Sequence, residues 1–305
     1  MMRHLTCDRP DHQDNFWTKN ATDSPYQHGG GSPANPGSNC ELNAIVAVLS
    51  TGPVGISDAA GGTDASLAMA TCDANGTLLQ PSKPLTPSDR TYAPSGAWPR
   101  LPGNGQQFAL WSSHTTVRQY RSEQCDHPDW CNATLAWFSV SVQIDLGHPP
   151  QPIALAPAAD FFPAPADGVA LVHREWHNAA LCQNGVDAIK SGCVTMSPPN
   201  QTAGNRTGSA TDYRYDLFVS HPIIGEGNWV LLGEMDKFAS VSEQRFAVVL
   251  VGPGALTVKL AGAPSEVVAV TALHRGKSGT WVVWTRTATI GSEGTAMLVF
   301  QTSQM

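Results

Sequence analysis

Apolar residues in this chain follow two periods, one helical near the start and one of two residues near the end. From Cys40 to Ser50 they recur with helical spacing, and Asn39 stands ahead of them as a cap. Thr51-Gly52-Pro53 breaks that helix, and Val54–Ser57 reads as a short buried strand. Asp58 follows at its C-terminal end, and Gly61-Gly62 leads to a second helix that Thr63 or Asp64 caps and that runs to about Thr71. Asp73–Gly76 is a turn, and Thr77–Gln80 resumes an extended path. Residues 81–105 are dense in Pro and Gly and mark the expected domain boundary. Residues 1–39, rich in turn formers, read as loop with Phe16 and Trp17 as anchors.

Beyond residue 105 the period becomes two. Strands are expected over 107–111, 135–146, 168–174, 213–219 and 228–235, with a proline-rich connector over 149–165. The clearest series covers 245–251, 255–260, 266–273, 280–287 and 295–300, divided by turns such as Gly252-Pro253-Gly254. Leu256, Val258 and Leu260 alternate strictly with Thr257 and Lys259, the pattern of a sheet with one buried face. Such spacing predicts an antiparallel sandwich or jelly roll. The expected fold class is therefore mainly β: a C-terminal antiparallel β-sandwich after the last strand–helix unit of a (β/α)8 barrel. That unit occupies 1–92 and the sandwich 93–305. A strand ending in a carboxylate and a glycine-rich turn is typical of such barrels, whose chemistry gathers at the C-terminal strand ends. An unpaired barrel strand exposes an edge, so 1–92 is expected to pack poorly or to lean on the sandwich.

Composition narrows the classes. The 305 residues carry a formal charge of −7 and only 14% charged residues, with no Lys/Arg cluster, which argues against a nucleic-acid partner. No apolar run approaches the roughly 18 residues of a membrane span. Acceptor triplets for N-glycosylation start at Asn20, Asn75, Asn132, Asn200 and Asn205. Among seven cysteines, Cys125 with Cys131 and Cys182 with Cys193 bracket short loops in the manner of disulfide staples, against the alternative of unrelated buried thiols; Cys7 is the one left over. These features point to an extracellular or secretory-lumen parent. Met1–Asn15 nevertheless carries no signal peptide, so the expectation is a longer parent whose true start is not Met1.

Gly52-Pro53-Val54-Gly55-Ile56-Ser57-Asp58, then Gly61 or Gly62, Asp64, Leu67, Asn75-Gly76-Thr77-Leu78-Leu79, Pro81, Pro84 and Asp89-Arg90 form an ordered series. It resembles the end of the barrel in the raffinose synthase and alkaline α-galactosidase group of glycoside hydrolase family 36. Gly55 departs from it, standing where that group has an aromatic residue. The resemblance covers about 40–92 and implies a carbohydrate partner and no cofactor. It also implies that the two catalytic aspartates of that group, which retaining chemistry needs about 5–5.5 Å apart, lie upstream of every matched position. No residue here is assigned catalysis. Ser57, Asp58 and Asp64 are the candidate substrate-binding residues, weighed against capping roles for both aspartates. Asp89-Arg90 reads as a structural ion pair.

Other constellations carry less. His173, Glu175 and His177 would share one face of a strand, a possible metal face or simply a polar one. Glu234 and Asp236 near Lys237 and Arg245 read as a surface charge pair, or as paired carboxylates of a self-contained enzyme together with Glu175. Ser112-Ser113-His114 lacks a nucleophile elbow. Trp98, Trp111, Trp130, Trp137, Trp176, Trp229, Trp281 and Trp284 include candidates for a sugar-stacking platform, which frames the alternative of a non-catalytic carbohydrate-binding or interaction module. Oligomeric state is not legible.

Overall fold

The computed structural model describes residues 15–16, 18, 40–58, 60–87, 108–121, 134–145, 171–175, 214–224, 228–252, 254–276, 278–279 and 281–302. The segment read as an N-terminal loop contains a strand, β1 (Asn15–Phe16). It pairs in parallel with β2 (Gly55–Ile56), and helix α1 (Cys40–Leu49) lies between them in sequence. Ser57 N–H extends the pairing by donating to the Phe16 carbonyl at 2.9 Å. The strand expected to stand unpaired therefore has a neighbour. Parallel neighbours need a crossover connection, and α1 supplies the helical part of one.

Helix α1 is apolar on more than one face, and Leu42, Ala44, Ile45, Val46, Val48 and Leu49 are all buried. A helix buried all round must have partners on several sides. Those partners include Val140 and Leu217 from the large sheet, Phe238 and Ala239 from a loop, and Leu85. Fully burying Ile45 and Leu49 contributes about 1.5–3 kcal/mol each. Helix α1 thus shares its core with residues of the large sheet. The expected boundary near residue 93 lies outside the described residues.

A short helix, α2 (Ala65–Met69), follows, and then a hairpin-like turn closed by the Cys72–Leu78 bridge. Leu85 N–H donates to the Leu49 carbonyl at 2.8 Å, tying the exit of this segment to the end of α1. The chain enters the sheet at β3 (Thr86–Pro87), which pairs with Trp111 and Ser112.

The remaining strands are β4 (Phe108–Arg121), β5 (Thr134–Asp145), β6 (Leu171–Glu175), β7 (Arg214–Ile224), β8 (Trp229–Gly233), β9 (Phe246–Gly252), β10 (Ala255–Ala261), β11 (Val267–Arg275), β12 (Trp281–Thr289) and β13 (Thr295–Gln301). Hydrogen bonding runs in the order β12-β11-β8-β7-β5-β4-β9-β10-β13. All of these pairs are antiparallel except β4 with β9. Strand β7 pairs with β5 over 214–220 and with β8 only at Ile223–Ile224, so it joins two antiparallel-rich sheets. The protein is mainly β, as expected.

Between the sheets lies a core that includes Val117, Phe138, Trp229, Phe246, Val258, Val270 and Phe300. Strand β10 buries Leu256, Val258 and Leu260 completely and turns Lys259 outward, as its alternation predicts. On β5, Ala136 and Phe138 belong to this core and Val140 to the core around α1. Residues two apart share a strand face, so one face serves both clusters in turn.

Candidate functional site

The C-terminal ends of β1 and β2 bring together Thr18, Asp58 and Asp64. Thr18 is buried, and nothing in the sequence singles it out. Its backbone N–H donates to both oxygens of Asp58, at 3.1 and 3.2 Å, and its hydroxyl donates to Asp58 Oδ2 at 2.5 Å. The same hydroxyl accepts from Asp64 N–H at 2.6 Å. One threonine beyond β1 therefore fixes the turn beyond β2 at both of its ends. Asp58 tethers two neighbouring strands, a different structural duty from the turn cap weighed above.

Asp64 is the N-cap of α2. Its Oδ1 accepts from Ser66 N–H at 2.9 Å, Leu67 N–H at 3.3 Å and the Ser66 hydroxyl at 2.6 Å. Its carboxylate is engaged in capping, the duty that competed with ligand binding in the sequence. Ser57 is exposed beside Asp58, which is half-buried. The structure thus brings Ser57, Asp58 and Asp64 to one strand-end region. A carboxylate offers about four lone-pair sites, and Asp58 uses three of them on Thr18.

A second cluster lies where this segment meets the strands nearer the C-terminus. Arg245 is fully buried and its guanidinium binds two carboxylates. Nε donates to Glu234 Oε2 at 2.8 Å, while Nη1 and Nη2 donate to Glu266 Oε2 and Oε1 at 2.9 and 2.6 Å. Nη1 also donates to the Ala261 carbonyl at 2.8 Å. Glu266 accepts further N–H groups from Ala263 at 3.0 Å and from Ala74 at 3.2 Å. The Ala74 contact carries the network across to the turn of the first segment. A Cβ on Gly262 would stand 2.1 Å from Arg245 Nη1, so the guanidinium needs that glycine.

Burial pushes the Glu234 carboxyl above its ordinary range despite Arg245. Glu266 is also desolvated, but its hydrogen bonds and charge pairing with Arg245 outweigh that and hold it below the ordinary range. The expected surface charge pair is in fact a buried one. Asp236 is 74% exposed and lies 3.7 Å from Lys237 Nζ, whereas Glu234 is buried against Arg245. Residues 234–245 also dock on the first segment. Lys237 Nζ donates to the Met69 carbonyl at 2.6 Å, Phe238 N–H to Ala70 at 3.2 Å and Ser242 Oγ to Gln80 at 2.8 Å. The cluster holds two parts of the fold together, and its carboxylates face a guanidinium rather than open space.

The tryptophans give no open platform among the described residues. Trp229 is fully buried, with the His274 ring centroid 4.4 Å away and Trp284 edge-on at 5.9 Å. Arg275 lies over Trp281 and Arg286 over Trp284, at 5.9 and 6.0 Å. Trp111 is half-buried. Trp98, Trp130 and Trp176, and the side chain of Trp137, lie outside the described residues. So do Asp89-Arg90, Cys7, Cys125, Cys131, Cys182, Cys193, His177 and the side chains of His173 and Glu175. Neither Cys40 nor Cys72 is in a disulfide, and Cys72 Sγ lies 3.5 Å from the Ala68 carbonyl. No helix among the described residues is long and apolar enough to cross a membrane.

Two buried histidines make stability depend on pH. Burial lowers the His274 pKa below 6.5, and burial together with nearby Lys83 lowers that of His114. Below 6.5 the unfolded chain takes up protons that the folded chain refuses, so stability falls until the pH passes the folded values. We expect chemical-denaturation midpoints to drop as pH falls from neutrality to about 5, and the drop to shrink in His274→Phe. An unchanged slope in that variant would remove His274 as a source.

No protein-family model matches this chain, and no curated protein matches it.

Proposed function

We propose that this chain is the C-terminal portion of an α-galactosidase-like glycoside hydrolase and has no glycosidase turnover of its own. The observation that carries the reading is the parallel β1–α1–β2 unit with Asp58 immediately beyond β2. Parallel strands linked through a helix, with polar side chains at their C-terminal ends, are the repeating part of a (β/α)8 barrel. The ordered motif series from Gly52 to Pro84 supports the same assignment. In this reading Ser57 and Asp58 line a sugar pocket and accept hydrogen bonds from hydroxyl groups. Thr18 positions Asp58. Neither catalytic aspartate is assigned to a residue here, and the carbohydrate is bound without a cofactor. The parent protein belongs to an extracellular or lumenal setting.

The test is a chromogenic aryl α-galactoside incubated with purified full chain, with galactose titrated separately by nuclear magnetic resonance. The expected result is no release of the aryl group and galactose-dependent shifts confined to residues around 55–66. Hydrolysis that survives further purification would refute the catalytic part. Absence of galactose-dependent shifts, in a chain otherwise folded, would refute the pocket.

A further inference from the structure

The turn after α2 carries a motif that the proposed function does not use. Asp73 organises it: its N–H donates to the Thr77 carbonyl at 2.9 Å, and its carbonyl accepts from Gly76 at 3.0 Å. Its side-chain Oδ1 accepts from Asn75 N–H at 2.9 Å and Thr77 N–H at 2.8 Å. Leu79 N–H donates to the Thr71 carbonyl at 2.9 Å, closing the base of the hairpin. Gly76 has φ +82°, and a Cβ there would meet nothing within 4 Å, so the tip projects from the surface. Ala74, Asn75, Gly76 and Thr77 are all exposed, whereas Asp73 and Leu79 on either side are buried. Asn75-Gly76-Thr77 is an acceptor triplet for N-glycosylation.

We infer that Asn75 is an N-glycosylation site, with its glycan standing outward from a rigid hairpin tip. The reaction requires the triplet and room for a bulky hydrophilic group on the surface. This turn provides both. The Asp73 contacts to Asn75 and Thr77 use backbone N–H groups only, so the Asn75 carboxamide and the Thr77 hydroxyl enter none of the turn's hydrogen bonds. Glu266 accepts from Ala74 N–H, which anchors the tip without engaging Asn75. In the transfer, Asn75 Nδ2 forms a bond to the anomeric carbon of a lipid-linked oligosaccharide. The bond from that carbon to phosphate oxygen breaks, the lipid diphosphate leaves, and Nδ2 gives up one proton. Asn20, Asn132, Asn200 and Asn205 lie outside the described residues, so Asn75 is the acceptor for which the fold supplies an argument. The inference stands apart from the glycosidase reading and survives its failure.

The experiment is peptide mass spectrometry on the full chain secreted from eukaryotic cells behind an added signal peptide, and on protein isolated from the cells that make it. Peptide N-glycosidase in heavy-oxygen water should convert glycosylated Asn75 to an isotope-labelled aspartate, while untreated samples show the glycopeptide. Thr77→Ala should lose the modification and Thr77→Ser should keep it. Spontaneous deamidation at Asn75-Gly76 yields no glycopeptide and is insensitive to Thr77→Ala. Full recovery of unmodified Asn75 peptide in both secreted and native protein would overturn the inference. So would a labelled aspartate signal from the same peptide that persists in Thr77→Ala.

Discussion

Arg245→Ala should cost about 3–5 kcal/mol of folding free energy, the scale measured when one partner of a buried ion pair is removed. Its guanidinium has no exposure, and its loss would strand Glu234 and Glu266, whose side chains are 5% and 10% exposed. The two glutamates should respond differently. Burial already pushes Glu234 toward the protonated form, so Glu234→Gln keeps the shape and removes a charge the interior disfavours. Glu266 is held ionised by Arg245 and accepts four N–H contacts, so Glu266→Gln disrupts more. The expected order of lost stability is Arg245→Ala greatest, Glu266→Gln next and Glu234→Gln least, measured by denaturant unfolding. The pH dependence has opposing parts. The raised Glu234 adds stability at low pH that fades as pH rises through its folded pKa. The depressed Glu266 adds stability above its ordinary value that is lost as pH falls through its folded pKa. A double-mutant cycle between Arg245→Ala and Glu234→Gln should show coupling, because the stranded carboxylate is removed together with its partner. Loss below about 1 kcal/mol for Arg245→Ala would mean that the network contributes little.

Much of the antiparallel β structure was legible because its strands obey one rule. Leu256, Val258 and Leu260 point one way and Thr257 and Lys259 the other, and the observed burial repeats that alternation. Where polar residues are buried, the rule fails. The start of β4 was expected over 107–111, yet the strand runs to Arg121 through Ser112, Ser113, His114 and Thr115, all buried. Nothing in a Ser-Ser-His-Thr-Thr run signals an interior strand. The Lys83 carbonyl accepts from the Ser113 hydroxyl, whereas the buried Thr115 hydroxyl has no hydrogen-bond partner among the described residues. Strand β1 was missed for another reason. Two residues carry no period, and their strand character comes from pairing with residues 40 positions away.

The candidate site divides in the same way. Asp64 was readable as a cap because its partners, Ser66 and Leu67, lie within three residues. Asp58 was readable as a strand-end carboxylate, but its partner Thr18 is 40 residues distant and nothing local marks it. Arg245 and Glu234 were visible as charges and misplaced on the surface, since charged side chains are seldom fully buried. Their burial depends on Glu266, a further 21 residues along. Local chemistry was therefore legible, and chemistry made by tertiary pairing was not.

Gly233→Ala should be close in severity to the loss of Arg245, through backbone geometry rather than charge. Gly233 ends β8 at φ +78°, a conformation that L side chains rarely adopt. An alanine Cβ would lie 1.9 Å from the Ser240 carbonyl oxygen and 2.8 Å from Val241 Cγ2. The oxygen in question accepts from Glu234 N–H at 2.8 Å, the bond that folds residues 234–240 back on themselves. Relief of the clash would have to open that bond and shift Lys237 and Phe238 from Met69 and Ala70. Left-handed backbone at a non-glycine residue costs about 1–3 kcal/mol and overpacking a further 1–3. The expected total is about 2–6 kcal/mol, read as a fall in denaturation midpoint. Gly61→Ala is the matched control, with φ +77° and nothing within 4 Å of its added Cβ. It should show the backbone cost alone. If both variants lose the same stability, the Ser240 contact is not what makes Gly233 indispensable.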